Sequence, residues 1–152
     1  MRHRVFVYGT LLSGEVNHPL LTGATLLGTH RTQPCFTLYL LGAYPGLVAG
    51  GRTAVTGEVY SVDDAGLRVL DRLEDAPRLY QRRLISTPYG RAWVYLYRDS
   101  IRDRPALRSG DWRLLSRDGT PVQAAAVRRR RDPKNPSHAR RLQLQQTPLA
   151  EC

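Results

Sequence analysis

The sequence predicts an α+β domain: a mixed, mainly antiparallel sheet, curled or barrel-like, with one or two helices packed on its outside. Three observations lead there. Six short segments carry the β-branched and aromatic content of strands. A single segment repeats apolar residues at helical spacing. The chain has 152 residues with 41% apolar content, enough for one hydrophobic core and too little for a second full domain.

In chain order, His3 to Tyr8 is largely apolar and ends at a glycine, which reads as a buried strand entering a loop. Asn17 stands two positions before Pro19, so a short helix capped by Asn17 is expected there. Thr25 to His30, Cys35 to Leu40 and Thr53 to Val62 read as strands. Asp63 to Leu73 is the clearest helix. Asp63 can cap it, Asp64 complements its N-terminal dipole, and Leu67, Leu70 and Leu73 form an i, i+3 stripe that needs a sheet to cover. Arg82 to Thr87 and Arg91 to Arg98 form a hairpin, because Pro88-Tyr89-Gly90 combines a fixed φ with a permissive glycine.

These elements place an organised domain at residues 1–115, followed by a basic, Pro/Arg/Gln-rich tail at 116–152 whose composition is that of a disordered extension. The formal charge is +10, and the tail's eight basic against three acidic residues supply half of it. The Arg128 to Arg131 run is therefore read as a solvated tail, with nucleic-acid contact at most non-specific. No signal peptide or membrane span is expected, so the protein is expected to be cytoplasmic. Two cysteines, Cys35 and Cys152, make neither a disulfide framework nor a ligand cluster and suit a reducing compartment. His3, His18, His30 and His138 lack ligand spacing, so no metal and no cofactor is expected. Walker, dinucleotide and nucleophile-elbow patterns are absent.

Two segments carry the chemistry. Tyr8-Gly9-Thr10-Leu11 leaves the first strand with a glycine and a small hydroxyl residue, which suits backbone N–H groups exposed to an anion, or else a plain strand-ending turn with Tyr8 in the core. Glu74 follows the last apolar position of the helix. There it faces the negative end of the macrodipole, a disfavoured position by about 0.3–1 kcal/mol. Partial desolvation by Leu70, Leu73 and Pro77 would raise its pKa toward that of a general acid–base, whereas pairing with Arg72, Arg78 or Arg82 would make it a helix-end residue.

Taken with Gly42-Ala43-Tyr44-Pro45-Gly46, Gly57-Glu58-Val59-Tyr60 and the run from Leu70 to Arg82, these segments resemble, in this order, the gamma-glutamylcyclotransferase-like superfamily. The pair Tyr8 to Leu11 and Leu73 to Arg82 is most similar to its gamma-glutamylamine cyclotransferase branch, and Gly42 to Gly46 and Thr87 to Val94 to uncharacterised bacterial relatives. The resemblance spans about Val5 to Trp112 and implies a barrel-like sheet of six or seven strands with a pocket at one end. It implies that Glu74 is catalytic and that Tyr8, Gly9, Thr10 and Leu11 bind substrate. The implied reaction releases 5-oxoproline and an amine from a small gamma-glutamyl amide by attack of its own α-amine, with no cofactor. A non-catalytic binding module whose basic tail docks an acidic partner is the alternative, and an amide hydrolase would release glutamate instead.

Other residues divide less sharply. Glu15 reads as exposed in a polar turn, and Glu58 either faces solvent or lines the pocket. Trp93, Tyr95 and Tyr97 share one strand face, as core or as pocket mouth. Tyr80 and Arg82 are expected to set the loop after the helix, and Gly110-Asp111-Trp112 matches a family segment near the pocket.

Overall fold

A computed structural model describes residues 1–118. The elements run β1 (Arg2–Val7), β2 (Thr25–Arg31), β3 (Phe36–Leu40), β4 (Pro45–Ala49), β5 (Thr56–Asp63), α1 (Asp64–Leu73), β6 (Tyr80–Thr87), β7 (Gly90–Tyr97) and α2 (Trp112–Asp118). Most of the tail expected at 116–152 lies outside the described residues.

Five strands form one sheet in the order β2-β5-β1-β7-β6, and β3 and β4 form a second, two-stranded sheet. Pairing is antiparallel except between β1 and β7, where Val5 aligns with Trp93 in parallel. The fold is thus α+β with a mixed sheet, as the sequence predicts, but the sheet is curled rather than closed. The hydroxyl of Tyr89, in the β6–β7 turn, donates to the Thr29 carbonyl on β2 at 2.9 Å, drawing the two ends of the strand order together. Gly28 makes room for that phenol, since a Cβ there would collide with the Tyr89 hydroxyl.

Strand β1 lies at the centre, which explains the uninterrupted apolar run Val5-Phe6-Val7: both of its faces are covered. Helix α1 starts where the sequence indicates, with the Asp63 carboxylate accepting from Gly66 N–H at 2.7 Å. Its Leu67 and Leu70 are buried, while Leu73 is left partly exposed at the helix end.

Two features depart from the sequence reading. The expected helix after Asn17 is a short 3₁₀ turn, His18–Leu21, and the Asn17 side chain does not cap it; its amide donates to Thr10 Oγ1 at 3.0 Å instead. Strand β4 was hidden by Pro45 and Gly46. Pro45 occupies the first strand position, where its missing N–H costs nothing. At Gly46 the backbone passes so close to β7 that a Cβ would lie 2.7 Å from Leu41 and 3.0 Å from Tyr97. Among the described residues no helix is long and apolar enough to cross a membrane.

Candidate active site

The end of α1 determines where Glu74 points. Asp75 N–H donates to Arg72 O at 3.2 Å and Ala76 N–H to Asp71 O at 2.9 Å, the paired bonds of a Schellman turn. Its closing residue, Asp75, takes the left-handed conformation at φ 51°, which aspartate tolerates better than most residues. The chain then turns into β6, and Glu74 enters a cavity of about 350 Å³ instead of continuing along the surface.

Of the arginines that might have neutralised Glu74, Arg78 and Arg82 are engaged elsewhere, and exposed Arg72 makes no ion pair with it. Arg78 donates to Asp75 at 2.7 and 3.0 Å. Arg82 donates to Asp71 at 2.8 and 3.2 Å and lies 4.6 Å over the Trp93 ring. Among the described residues the Glu74 carboxylate has neither an ion pair nor a hydrogen bond. Desolvation by burial pushes its pKa up from 4.5 to about 7. A carboxyl group in that range can both take up and release a proton at neutral pH.

The segment from Tyr8 to Leu11 lines the same cavity. A tight turn, Leu12 N–H to Gly9 O at 3.0 Å, bends the chain back after β1. Asn17 secures it from the far end of the loop, its N–H bonding Thr10 O at 2.8 Å and its side chain Thr10 Oγ1. The N–H groups of Gly9, Thr10 and Leu11 donate to no acceptor among the described residues. Successive unclaimed N–H groups make an anion site. Gly9 also has to be glycine, because a Cβ would lie 2.6 Å from Pro45.

Four tyrosines line the cavity, Tyr8, Tyr44, Tyr80 and Tyr95, and the hydroxyls of Tyr8, Tyr80 and Tyr95 are committed. Tyr8 donates to Tyr95 O at 2.7 Å and receives Leu47 N–H at 3.3 Å, linking β1, β7 and β4. Tyr80 donates to Pro45 O at 2.9 Å, and Tyr95 to Asp71 Oδ1 at 2.7 Å. Burial raises all three phenol pKa values, and the nearby Glu74 charge adds to the effect. These rings therefore shape the cavity without offering protons to a ligand. Tyr8 keeps its place in the wall, yet its polar atom belongs to the fold.

A second carboxylate sits behind the loop. Glu58 is 4% exposed and accepts from Ser13 N–H, Ser13 Oγ, Tyr60 Oη and Arg113 Nη2, all between 2.8 and 3.0 Å. Burial alone would raise its pKa, but the Arg113 and Ser13 donors, with Tyr60, hold it below the ordinary 4.5. Glu58 thus faces neither solvent nor cavity, unlike both readings of the sequence: central strand β5 is covered on both sides. Glu15 is likewise no exposed turn residue, since it accepts from Trp112 Nε1 at 3.0 Å. Trp112 and Arg113, at the start of α2, clamp the loop that the cavity uses, and Gly110-Asp111-Trp112 acts from behind it without lining the cavity. Arg113 escaped notice because its partners lie 55 and 100 residues away in the chain.

Of the strand trio, Tyr95 lines the cavity, Tyr97 packs edge-on to Tyr80 at 5.2 Å, and Trp93 lies under Arg82. His3 contacts Asp64, His18 the Leu11 carbonyl, and His30 the Phe6 ring. His138 lies outside the described residues. Among the described residues there is no group of three or more metal-ligand side chains.

The family described as gamma-glutamyl cyclotransferase, AIG2-like, matches residues 5–114. A Vibrio cholerae protein named as a candidate gamma-glutamylcyclotransferase is 53% identical over 112 residues, covering 74% of this chain and 96% of its own. Escherichia coli YtfP, named as a gamma-glutamylcyclotransferase family protein, is 45% identical over 115 residues, covering 76% and 98%. Its solution structure superposes with a TM-score of 0.61. The crystal structure of an AIG2-like protein from Mus musculus, 32% identical, superposes with a TM-score of 0.63 over 72% of this chain and 88% of that one.

Proposed function

The chain belongs to the gamma-glutamyl cyclotransferase, AIG2-like family, and from that premise we propose that it converts a gamma-glutamyl amide to 5-oxoproline and a free amine, with Glu74 as the acid–base group and the Gly9–Leu11 N–H groups as the carboxylate grip. A single juxtaposition supports the reading most strongly: an unpaired carboxyl group with a pKa of about 7 shares a cavity with three unclaimed backbone donors.

The substrate is a zwitterion, and its two charges call for different hosts. No lysine, arginine or histidine lines the cavity, so the α-carboxylate is held by main-chain N–H groups in the manner of an anion nest. The α-ammonium then lies toward Glu74, which takes one proton and leaves a neutral amine. That amine attacks the γ-carbonyl carbon, closing a five-membered ring, and the tetrahedral centre collapses by breaking the bond to the leaving nitrogen. Glu74 returns its proton to that nitrogen, and the second proton lost by the new lactam nitrogen is taken up as the departing amine becomes ammonium. No protein nucleophile forms or breaks a bond. The rate gain comes from holding the substrate folded in a near-attack shape and from a proton carrier matched to neutral pH. Among gamma-glutamyl substrates, amides of simple amines are favoured, in line with the motif similarity of the Leu73 to Arg82 run.

The test is mass-spectrometric detection of 5-oxoproline from a panel of gamma-glutamyl amides and dipeptides. Wild type is expected to release it, and Glu74→Gln to lose activity by about 10²–10⁴-fold while keeping its fold by circular dichroism. Release of glutamate instead would identify a hydrolase. Silence on every substrate by a folded protein would leave a binding module.

A further inference from the structure

The amine half of the substrate has its own surroundings, and their chemistry is one-sided. The cavity that holds Glu74 is also lined by Val16 of the loop after β1, Tyr44 of the β3–β4 turn and Leu73 of the last turn of α1. These three are 77%, 41% and 37% exposed, large apolar side chains left in water at one cavity rim. Glu74 is the one charged side chain among the residues lining that cavity. Four charged groups near the helix end are turned to one another instead, Asp71 to Arg82 and Asp75 to Arg78, and Arg72 does not line the cavity. An ammonium or carboxylate carried by the leaving amine would meet no charged partner at these three side chains and would give up hydration without an ion pair in exchange. An alkyl chain would cover Val16, Tyr44 and Leu73 and gain by it.

Resting on the cyclotransferase reading for the bond that is broken, we propose that the rim formed by Val16, Tyr44 and Leu73 is an apolar subsite that selects gamma-glutamyl amides of uncharged, aliphatic amines over those whose amine carries a second charge. The glutamyl half is read by the main chain and Glu74; the amine half is read chiefly by apolar area. Specificity of this kind is graded, not absolute, because each methylene adds a small, equal increment.

Three amides of equal length separate the possibilities: gamma-glutamyl pentylamide, the same chain ending in an ammonium (from 1,5-diaminopentane), and the same chain ending in a carboxylate (from 5-aminopentanoate). The pentylamide is expected to have a kcat/KM at least about tenfold above both charged amides. In the ethyl-to-pentyl series kcat/KM should climb about threefold to fourfold per methylene. Val16→Asp, which sets a carboxylate at the rim, should lower the pentylamide value and raise that of the ammonium-ended amide. Equal rates for all three, or a charged amide turned over best, would overturn the subsite while 5-oxoproline release kept the cyclotransferase reading intact. If no amide released 5-oxoproline, that reading would fall, and calorimetric titration of the same three amides into Glu74→Gln would still decide the subsite. Tightest binding of the pentylamide would uphold it, and equal or absent binding would sink it.

Discussion

Glu58 and Glu74 are the same side chain in two regions of one small domain, and their surroundings drive them in opposite directions. Glu58, on a strand covered on both sides, is met by four donors from three separate parts of the chain and stays ionised. Glu74, at the end of α1, is half-buried and finds no donor among the described residues, and its pKa climbs to about 7. Burial alone therefore does not raise a carboxylate's pKa. Burial without partners does, and the fold achieves it at Glu74 by directing Arg78 and Arg82 to Asp75 and Asp71.

The sharpest way to break this contrast is to remove Glu58. Glu58→Ala leaves Arg113 without its anion and frees the loop at Ser13, and it should cost about 3 kcal/mol, a fall in melting temperature on the order of 10 °C. Arg113→Ala should cost less, since part of its side chain remains in water, but should likewise raise KM more than it lowers kcat through the loosened loop. A thermal melt and a kinetic comparison check both. Unchanged melting with abolished turnover would move Glu58 from scaffold to chemistry.

Next in size is the pH dependence of stability, where the two carboxylates act in separate windows. Glu74 ionises near 7 when folded and near 4.5 when unfolded, so between those values the native chain holds the extra proton. Stability from this group therefore falls as pH rises from 4.5 to 7 and is flat above. Glu74→Gln should remove that fall, a relative gain over wild type on the order of 2 kcal/mol at pH 8 compared with pH 4. Glu58, held below its ordinary pKa, contributes stability above 4.5 that is lost as pH drops through its lower folded value. Urea titrations of wild type, Glu58→Gln and Glu74→Gln across that range separate the two slopes. Coincident slopes for wild type and Glu74→Gln would mean that Glu74 is not perturbed.

The smallest effect lies at the turn that aims Glu74. Asp75→Ala places a less tolerant residue at φ 51° and should cost about 1 kcal/mol. Asp75→Gly should be near neutral, because glycine relieves the backbone while the exposed pair with Arg78 contributes little. Denaturant midpoints of the two variants check this; an equal loss in both would assign the cost to the ion pair.

What the sequence makes legible follows the range of the interactions. Helix α1, its Asp63 cap and the β6–β7 hairpin are each encoded within a short contiguous stretch and appear where the local pattern puts them. Glu74 stands out because its helix-end position and the motif around it are also local. Strand β4 is obscured because Pro45 and Gly46 look like turn residues until β7 is known to press against them. The Glu58 node depends on Ser13 and Arg113, 45 and 55 residues away, and the Trp112–Glu15 bond spans 97. One hint was present: Gly57-Glu58-Val59-Tyr60 lacks the alternation of a half-exposed strand, so a charge inside it needed partners.

With the hydroxyls of Tyr8, Tyr80 and Tyr95 committed to the fold, the polar vocabulary left for a ligand is one carboxyl group, the Tyr44 hydroxyl and a stretch of main chain. Alanine scanning erases side chains and leaves peptide groups in place, so a scan of Thr10 and Leu11 will understate what that stretch does. Gly9 is the exception, because there alanine adds an atom where Pro45 already stands. A survey of variants in this protein will find the grip by what cannot be added, not by what can be taken away.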